Sequence, residues 1–303
     1  MNNRRSFLQQ ASLLLTAAAL SPVFLSRAAS TIENPFRKIG IQLFTLRDLL
    51  TKDVAGTIAH IAKIGYNQVE TYYGYPGPYA TKGFWGLDAK AFKSLLNSHN
   101  LTTPSGHYNC LAFLTDGNKD VLKEQIETAA ITGQEYYVIP GLPTSIRQAG
   151  TREDYQKMAG YFNEAAELAK THQLKLAYHN HNFEFKDLGN GLTGYQVLLN
   201  ETDPALVNFE LDLFWAINAG LDPLDLFKQY PGRFKMWHVK DMDKTDKNVY
   251  TEVGSGSINF KAIFEKARLS GLEHLFIEQD VIKIDPYRSI EQSLGYVRDS
   301  LIR

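Results

Sequence analysis

Polar side chains able to do chemistry stand at the ends of short apolar runs along this chain: Glu70, His107, the run His179-Asn180-His181, Asp212, His238 with Lys240, and Glu278. A charged group that closes an apolar run is costly to bury unless it is paired or holds a metal. With the period of 2 of a strand, His179 and His181 share a face, as do Glu210 and Asp212, then Met236, His238 and Lys240, then Phe276 and Glu278. Four successive runs thus aim a His, an Asp, a His and a Glu at one point. One strand histidine alone is more often structural; the convergence of four donors is what points to a metal. Mixed nitrogen and oxygen donors suit one divalent ion, Mn²⁺, Zn²⁺, Co²⁺, Fe²⁺ or Mg²⁺. The single cysteine, Cys110, excludes an internal disulfide and a Cys-rich zinc site.

Such an ion would polarise a bound carbonyl and acidify the adjacent C–H. A carboxylate beside that carbon could take the proton and leave an enediolate. Returning the proton to the other face epimerises, returning it to the neighbouring carbon isomerises, and expelling a β-substituent eliminates. The candidates for proton transfer are Glu278, Glu70, Glu184, His107 and Lys240. Glu184 reads equally well as an exposed loop acid. Lys240 reads nearly as well as a carboxylate's ion-pair partner, and His107 as a structural histidine or a substrate contact. The loop Tyr72-Tyr73-Gly74-Tyr75-Pro76-Gly77-Pro78-Tyr79, with Phe84-Trp85, offers rings either to the C–H face of a ligand or to packing on itself or on another subunit.

The elements that must position these groups alternate. Candidate strands are 38–44, 67–71, 102–107, 136–140, 175–179, 206–212, 234–240 and 274–279. Amphipathic helical patterns lie between and after them, at 54–64, 89–98, 119–132, 152–171, 194–199, 223–229, 260–270 and 289–301. Asp53 and Asp222 stand at N-caps, Pro223 at a first helical position, and Gly65 and Gly271 at C-caps. Eight βα units in succession argue for α/β architecture and a parallel sheet, and eight is the number that closes a single-domain (β/α)8 TIM barrel, spanning residues 31–303. An open doubly wound sheet would usually carry a Gly-rich phosphate turn after its first strand, and Thr45-Leu46-Arg47-Asp48 is no such turn.

Several runs carry a resemblance: Gly65-Tyr66-Asn67-Gln68-Val69-Glu70, Ala177-Tyr178-His179-Asn180-His181, Phe209-Glu210-Leu211-Asp212, Trp237-His238-Val239-Lys240-Asp241 and Phe276-Ile277-Glu278. In order and spacing the chain resembles the sugar phosphate isomerase/epimerase family, the xylose isomerase-like TIM barrels, over about residues 36–302. The resemblance implies one divalent metal held by Glu, Asp, His and Glu after strands five to eight. Asp212, His238 and Glu278 match the last three positions, and His179 stands in the first, where many members read Glu-x-His. His179 could still bind through an imidazole nitrogen, with His181 as a substitute. The exchange removes a negative charge and a proton-transfer base. Trp215 stands where epimerase-like members often place a histidine; an indole can stack on a sugar but cannot shuttle a proton. Glu184 resembles a substrate-contacting glutamate of the family.

The implied activity is a metal-dependent isomerase or epimerase acting on a non-phosphorylated sugar, with His107, His181, Trp215 and Tyr72 as substrate contacts. Three alternatives stand beside it: a lyase or hydratase that expels the aglycone from a 3-keto-glycoside, a non-catalytic carbohydrate-binding barrel, and a metal-dependent nuclease of the same fold. The turn Gly254-Ser255-Gly256-Ser257 could meet phosphate at a helix N-terminus, or Ser257 could simply cap that helix.

Residues 1–30 read as a leader. Arg4-Arg5 precede an apolar run broken by Pro22, and the small residues Ala28-Ala29-Ser30 follow, a pattern that resembles a twin-arginine export signal and implies a periplasmic or otherwise exported protein. No later segment approaches membrane length, so no membrane partner is expected after cleavage. Lys and Arg total 32 against 33 Asp and Glu, so no basic excess invites nucleic acid, and the expected partner is a small sugar or glycoside. A homo-oligomer stays open.

Overall fold

The computed structural model describes residue 36 and residues 38–302. The leader read in residues 1–30 lies outside the described residues. Eight strands pair in parallel and close: β1 (Gly40–Gln42), β2 (Gln68–Tyr73), β3 (Thr102–Tyr108), β4 (Tyr136–Ile139), β5 (Lys175–His179), β6 (Val207–Asp212), β7 (Phe234–Val239) and β8 (His274–Ile277), in the ring order β1-β8-β7-β6-β5-β4-β3-β2. The chain is a (β/α)8 barrel.

The helices between strands follow the sequence pattern closely: α1 (Val54–Ile64), α2 (Ala89–Ser98), α3 (Lys119–Thr132), α4 (Arg152–Lys170), α5 (Gly194–Glu201), α6 (Pro223–Gln229), α7 (Phe260–Phe264) and α8 (Pro286–Tyr296). The caps explain the agreement. Asp53 accepts from the Gly56 amide at 2.9 Å, and Gly65 ends α1 at φ 112°, a conformation that favours glycine. Gly271 adopts φ 88° in the same role after Ala267–Ser270.

Four expectations are corrected. The first strand stops at Gln42 rather than Phe44, because the Gln42 side chain accepts from the Phe44 amide and starts a 3-10 turn, Leu43–Leu46. The helix expected at 260–270 breaks into α7 and Ala267–Ser270. Asn259 caps α7, while the Ser257 hydroxyl donates to the Met242 carbonyl. The last helix begins at Pro286 under an Asp285 cap. The sequence pattern does not distinguish the short helices Leu111–Asp116, Thr144–Ala149 and Leu213–Asn218, or the ribbon of Asp241–Met242 against Tyr250–Thr251. All follow strand ends, and a helix of six residues is too brief to display a period.

Side chains of Tyr136, Val138, Ala177, Met236 and Phe276 form a buried cluster of their own on the inward strand faces. A Cβ on Gly40 would collide with the Phe276 ring, so β1 passes that ring with no side chain. This plug makes the barrel interior solid and forms the floor on which the polar layer stands. The outward faces, with Tyr137, Ile139, Leu176 and Tyr178 among them, pack under the helices. Among the described residues, no helix is long and apolar enough to cross a membrane.

Candidate metal centre

Strand register brings the predicted residues into one layer. Gln42 pairs with Glu70, His179 with Glu210, and Asp212 with His238. The β6–β7 pairing shifts by one residue between Phe209 and Glu210, a bulge at the edge of the site, where bulges re-aim side chains. Glu70, His107, His179, Glu210, Asp212, His238, Lys240 and Glu278 are all buried.

Two groups of donors result. Asp212, His238 and Glu278 each offer an atom within 4.8 Å of the others. His179 joins them, its Nε2 3.9 Å from Asp212 Oδ2. The second group, His107, His179, Glu210 and His238, meets the same 4.8 Å limit and centres on Glu210 Oε2. That oxygen stands 2.7 Å from His107 Nε2, 3.1 Å from His179 Nδ1 and 3.2 Å from His238 Nε2. Sequence reasoning gave neither Glu210 nor Asp280 a role; the signal for Glu210 was the strand face it shares with Asp212.

Glu70 plays a related structural part. Its carboxylate accepts from Gln42 Nε2 at 2.8 Å and Ser105 Oγ at 2.6 Å, and it contacts His238 Nε2 at 2.6 Å. Burial, then the Glu210 charge, raise the Glu70 pKa. His238 has carboxylates at both ring nitrogens, with Glu278 2.7 Å from Nδ1. Burial opposes its protonation, but the carboxylates of Glu210, Glu278 and Glu70 prevail and hold its pKa well above the usual range. Burial and the neighbouring His238 charge hold His179 well below, so its imidazole is neutral at pH 7 and free to offer a lone pair.

Lys240 is an ion-pair residue at the heart of the site. Its ammonium lies 2.7 Å from Glu278, 2.9 Å from Asp280 and 3.1 Å from Asp212. Burial opposes its charge; the three carboxylates outweigh that and hold its pKa well above 10.5. Glu278 lies well below its usual range, because Lys240 and His238 overcome the cost of burial.

Does this layer fit a divalent ion? Five carboxylates, from Glu70, Glu210, Asp212, Glu278 and Asp280, face one permanent cation, Lys240. Asp212 Oδ2 is buried without a hydrogen bond. The His179 Nδ1–Glu210 contact leaves Nε2 to face outward, as a carboxylate behind a metal-binding histidine usually does. The excess of negative charge and the mixed N/O donor set fit a divalent ion.

Above the layer opens a cavity of about 310 Å³, lined at its polar side by His107, His179, His181, Lys240, Glu278 and Asp280. His181 Nδ1 is buried without a partner, and burial, then the charges of Lys240 and Arg147, push this imidazole down to about 3. Glu184 is fully buried rather than an exposed loop acid. It accepts from Tyr178 Oη at 2.5 Å and from the His181 amide at 3.0 Å, and burial raises its pKa to about 7. It therefore holds the His181 loop from behind. Trp215 stands at the side, its ring 5.9 Å from that of His181 and 5.9 Å from Lys240 Nζ. Tyr72 is buried behind the cavity wall, where its hydroxyl accepts from Trp85 Nε1; Phe44 and Tyr75 line the wall in its place. The Gly254–Ser257 turn is already occupied by protein: the Gly254 and Gly256 amides donate to Asp241 Oδ2 at 2.8 and 2.9 Å. That turn has no amide left for a phosphate.

Comparison with known proteins assigns this barrel. The family model described as xylose isomerase-like TIM barrel matches residues 58–299. The chain belongs to the xylose isomerase-like TIM barrel family. Among curated family relatives it is 23% identical over 279 residues to inosose dehydratase of Clostridium tetani, covering 80% of this chain and 88% of the relative. With inosose dehydratase of Lacticaseibacillus casei the identity is 26% over 260 residues, covering 77% and 85%. Among solved structures, a sugar phosphate isomerase/epimerase from Parabacteroides distasonis superposes with a TM-score of 0.75 at 28% identity, covering 87% of this chain and 94% of the other. The IolI protein with a binding zinc atom superposes at 0.69 with 16% identity, covering 86% and 97%, a likeness of fold. Relatives of this chain thus include inosose dehydratases and a sugar phosphate isomerase/epimerase, and the chain's buried His, Asp and Glu donors could bind a metal.

Proposed function

We propose that this chain is a metal-dependent lyase of keto-sugars: it removes the proton beside a carbonyl and expels the β-oxygen substituent, as water from a cyclic keto-polyol or as the aglycone of a keto-glycoside. One observation carries the reading. Glu278 and Lys240 stand 2.7 Å apart at the cavity floor, one held ionised and the other held protonated at neutral pH. A base and an acid side by side serve a carbon from one side. Glu278 takes the α-proton, and the C–H pair moves into the enolate. The enolate then forms the C=C bond as the β C–O bond breaks, and that pair leaves on oxygen, which takes a proton from Lys240.

Asp212, His238, Glu278 and His179 are the residues that would hold the divalent ion. Bound there, it would supply Lewis-acid polarisation of the substrate carbonyl. Glu210 orients His179, Glu70 orients His238, and Glu184 holds the loop that carries His181. His107 and His181 face the substrate, and Trp215 flanks it. The inosose dehydratases among the relatives support elimination. Epimerisation is the second reading, favoured by the name of the 28% identical structure. It asks for a proton-transfer group on each side of the carbon. Here the position of a second glutamate holds His179, a neutral imidazole tied to Glu210. The leader adds an exported site of action to the proposal, which N-terminal sequencing of the mature protein would test.

The metal-loaded protein, incubated in deuterium oxide with inosose and with 3-keto-glucosides, decides between readings. An enone or a released aglycone is the expected result, with solvent deuterium confined to the α-carbon of substrate recovered unreacted. Deuterium with an epimer and no elimination product selects epimerisation, and neither exchange nor elimination with any keto-sugar overturns both.

A further inference from the structure

We propose that the cavity contains a second subsite, built for an apolar, planar aglycone bearing a carboxylate, and that Arg147 reads that carboxylate. The inference rests on the keto-glycoside form of the function above. The lining is mixed: beside the polar floor it includes the side chains of Pro76, Leu111, Pro140 and Leu142. Hydroxyls of a sugar ring would find no partner on these side chains, whereas a flat apolar group would lose unfavourable water contact there. Leu111 is 38% exposed at this lining, a large apolar surface that the described residues do not cover.

Arg147, on the short helix Thr144–Ala149, completes the lining. Its guanidinium lies 5.6 Å from the centre of the Phe183 ring and has neither a side-chain hydrogen bond nor a carboxylate within 4.0 Å among the described residues, although its charge acts on Glu184 from farther off. The contrast with Lys240 is informative, since that cation carries three carboxylates within 3.1 Å. Lys240 is neutralised by protein; Arg147 is left for something that enters. A planar fork of N–H donors matches a carboxylate in bidentate fashion. The aromatic surface of Phe183 behind it restricts the fork's orientation. A sugar over the floor and an aryl carboxylate against Leu111 and Leu142 would together use both parts of the lining of the cavity, whose volume sits at the small end of ligand sites.

The test reads binding rather than turnover, by calorimetry and chemical-shift titration of the full chain with benzoate and benzyl alcohol. Benzoate should bind about tenfold or more tightly than benzyl alcohol, the difference expected for a charge-assisted hydrogen bond. Arg147→Gln should abolish that preference while leaving the affinity for benzyl alcohol, which has no carboxylate to lose, unchanged. Leu111→Ser should weaken benzoate and benzyl alcohol alike. Equal affinities in the unmodified protein, a benzoate preference that survives Arg147→Gln, or an equal loss of benzyl alcohol in that variant would each overturn the subsite. Both variants lie on exposed positions, and circular dichroism verifies their folding. A benzoate preference found together with failed keto-sugar chemistry would leave the subsite standing and overturn the reaction, so the two failures are separable.

Discussion

Glu210 Oε2 lies 3.1 Å from His179 Nδ1, and this contact turns the opposite nitrogen, Nε2, toward Asp212. The same oxygen also meets His107 and His238. One buried carboxylate therefore sets the tautomer and ring angle of His179 and adds its charge beside His238, two of the four proposed ligands. Glu210→Gln keeps the shape but loses the charge. It should weaken divalent-ion binding by about 10–100-fold. Calorimetric titration of chelator-treated protein measures this, and an unchanged affinity would sink the assignment.

The Glu278–Lys240 pair separates the two halves of the proposed reaction. Glu278→Gln should reduce α-proton exchange by about 10²–10⁴-fold, the usual effect of losing a general base. Lys240→Gln should retain more exchange than elimination, because the acid acts on the leaving oxygen. The ratio of exchange to product, followed by mass spectrometry and NMR, reports the difference. A Lys240 variant whose exchange and elimination fall in step would speak against the acid role.

Glu184 makes stability depend on pH with a definite sign. Its folded pKa, about 7, lies above the 4.5 of a free glutamate, so the folded state holds a proton that the unfolded chain has already lost. The penalty for ionising it is absent below about pH 4.5, grows as pH rises to about 7 and then stays, on the order of 3 kcal/mol in full. Relative to Glu184→Gln, the native protein should lose melting temperature across that interval. Parallel curves from pH 4 to pH 8 would refute the shift.

Asp241 anchors the loop after β7. Its carboxylate accepts from the amides of Met242, Gly254, Gly256 and Ile258. Asp241→Ala leaves those donors with no acceptor and should cost about 3 kcal/mol in denaturant unfolding, with Asp241→Asn costing less. A loss below about 1 kcal/mol would mean that water replaces the carboxylate freely.

Much of the barrel was legible before any coordinates. Asp53, Gly65, Asp222 and Gly271 mark helix ends by chemistry acting within one turn, and His179, Asp212, His238 and Glu278 sit at strand ends because period and run length place them there. The departure at His179 was visible too, as a histidine in a glutamate's position. Glu184 was harder: a charged residue in a loop says nothing of its depth, and its burial depends on Tyr178 and the His181 backbone closing over it. The Gly254–Ser257 turn looked open to an anion because nothing local shows that Asp241, more than ten residues earlier, supplies one.

Period, caps and residue type act within a few residues, and they determined the eight βα units and the donors at the strand ends. Only the closed barrel decided which donors share a proton. Gln42 reaches Glu70, His107 reaches Glu210, and Lys240 gathers Asp212, Glu278 and Asp280 through register between strands distant in sequence. The physical reason is desolvation. Water removed from that layer makes each carboxylate choose a partner, and the set of available partners exists only once the ring has closed.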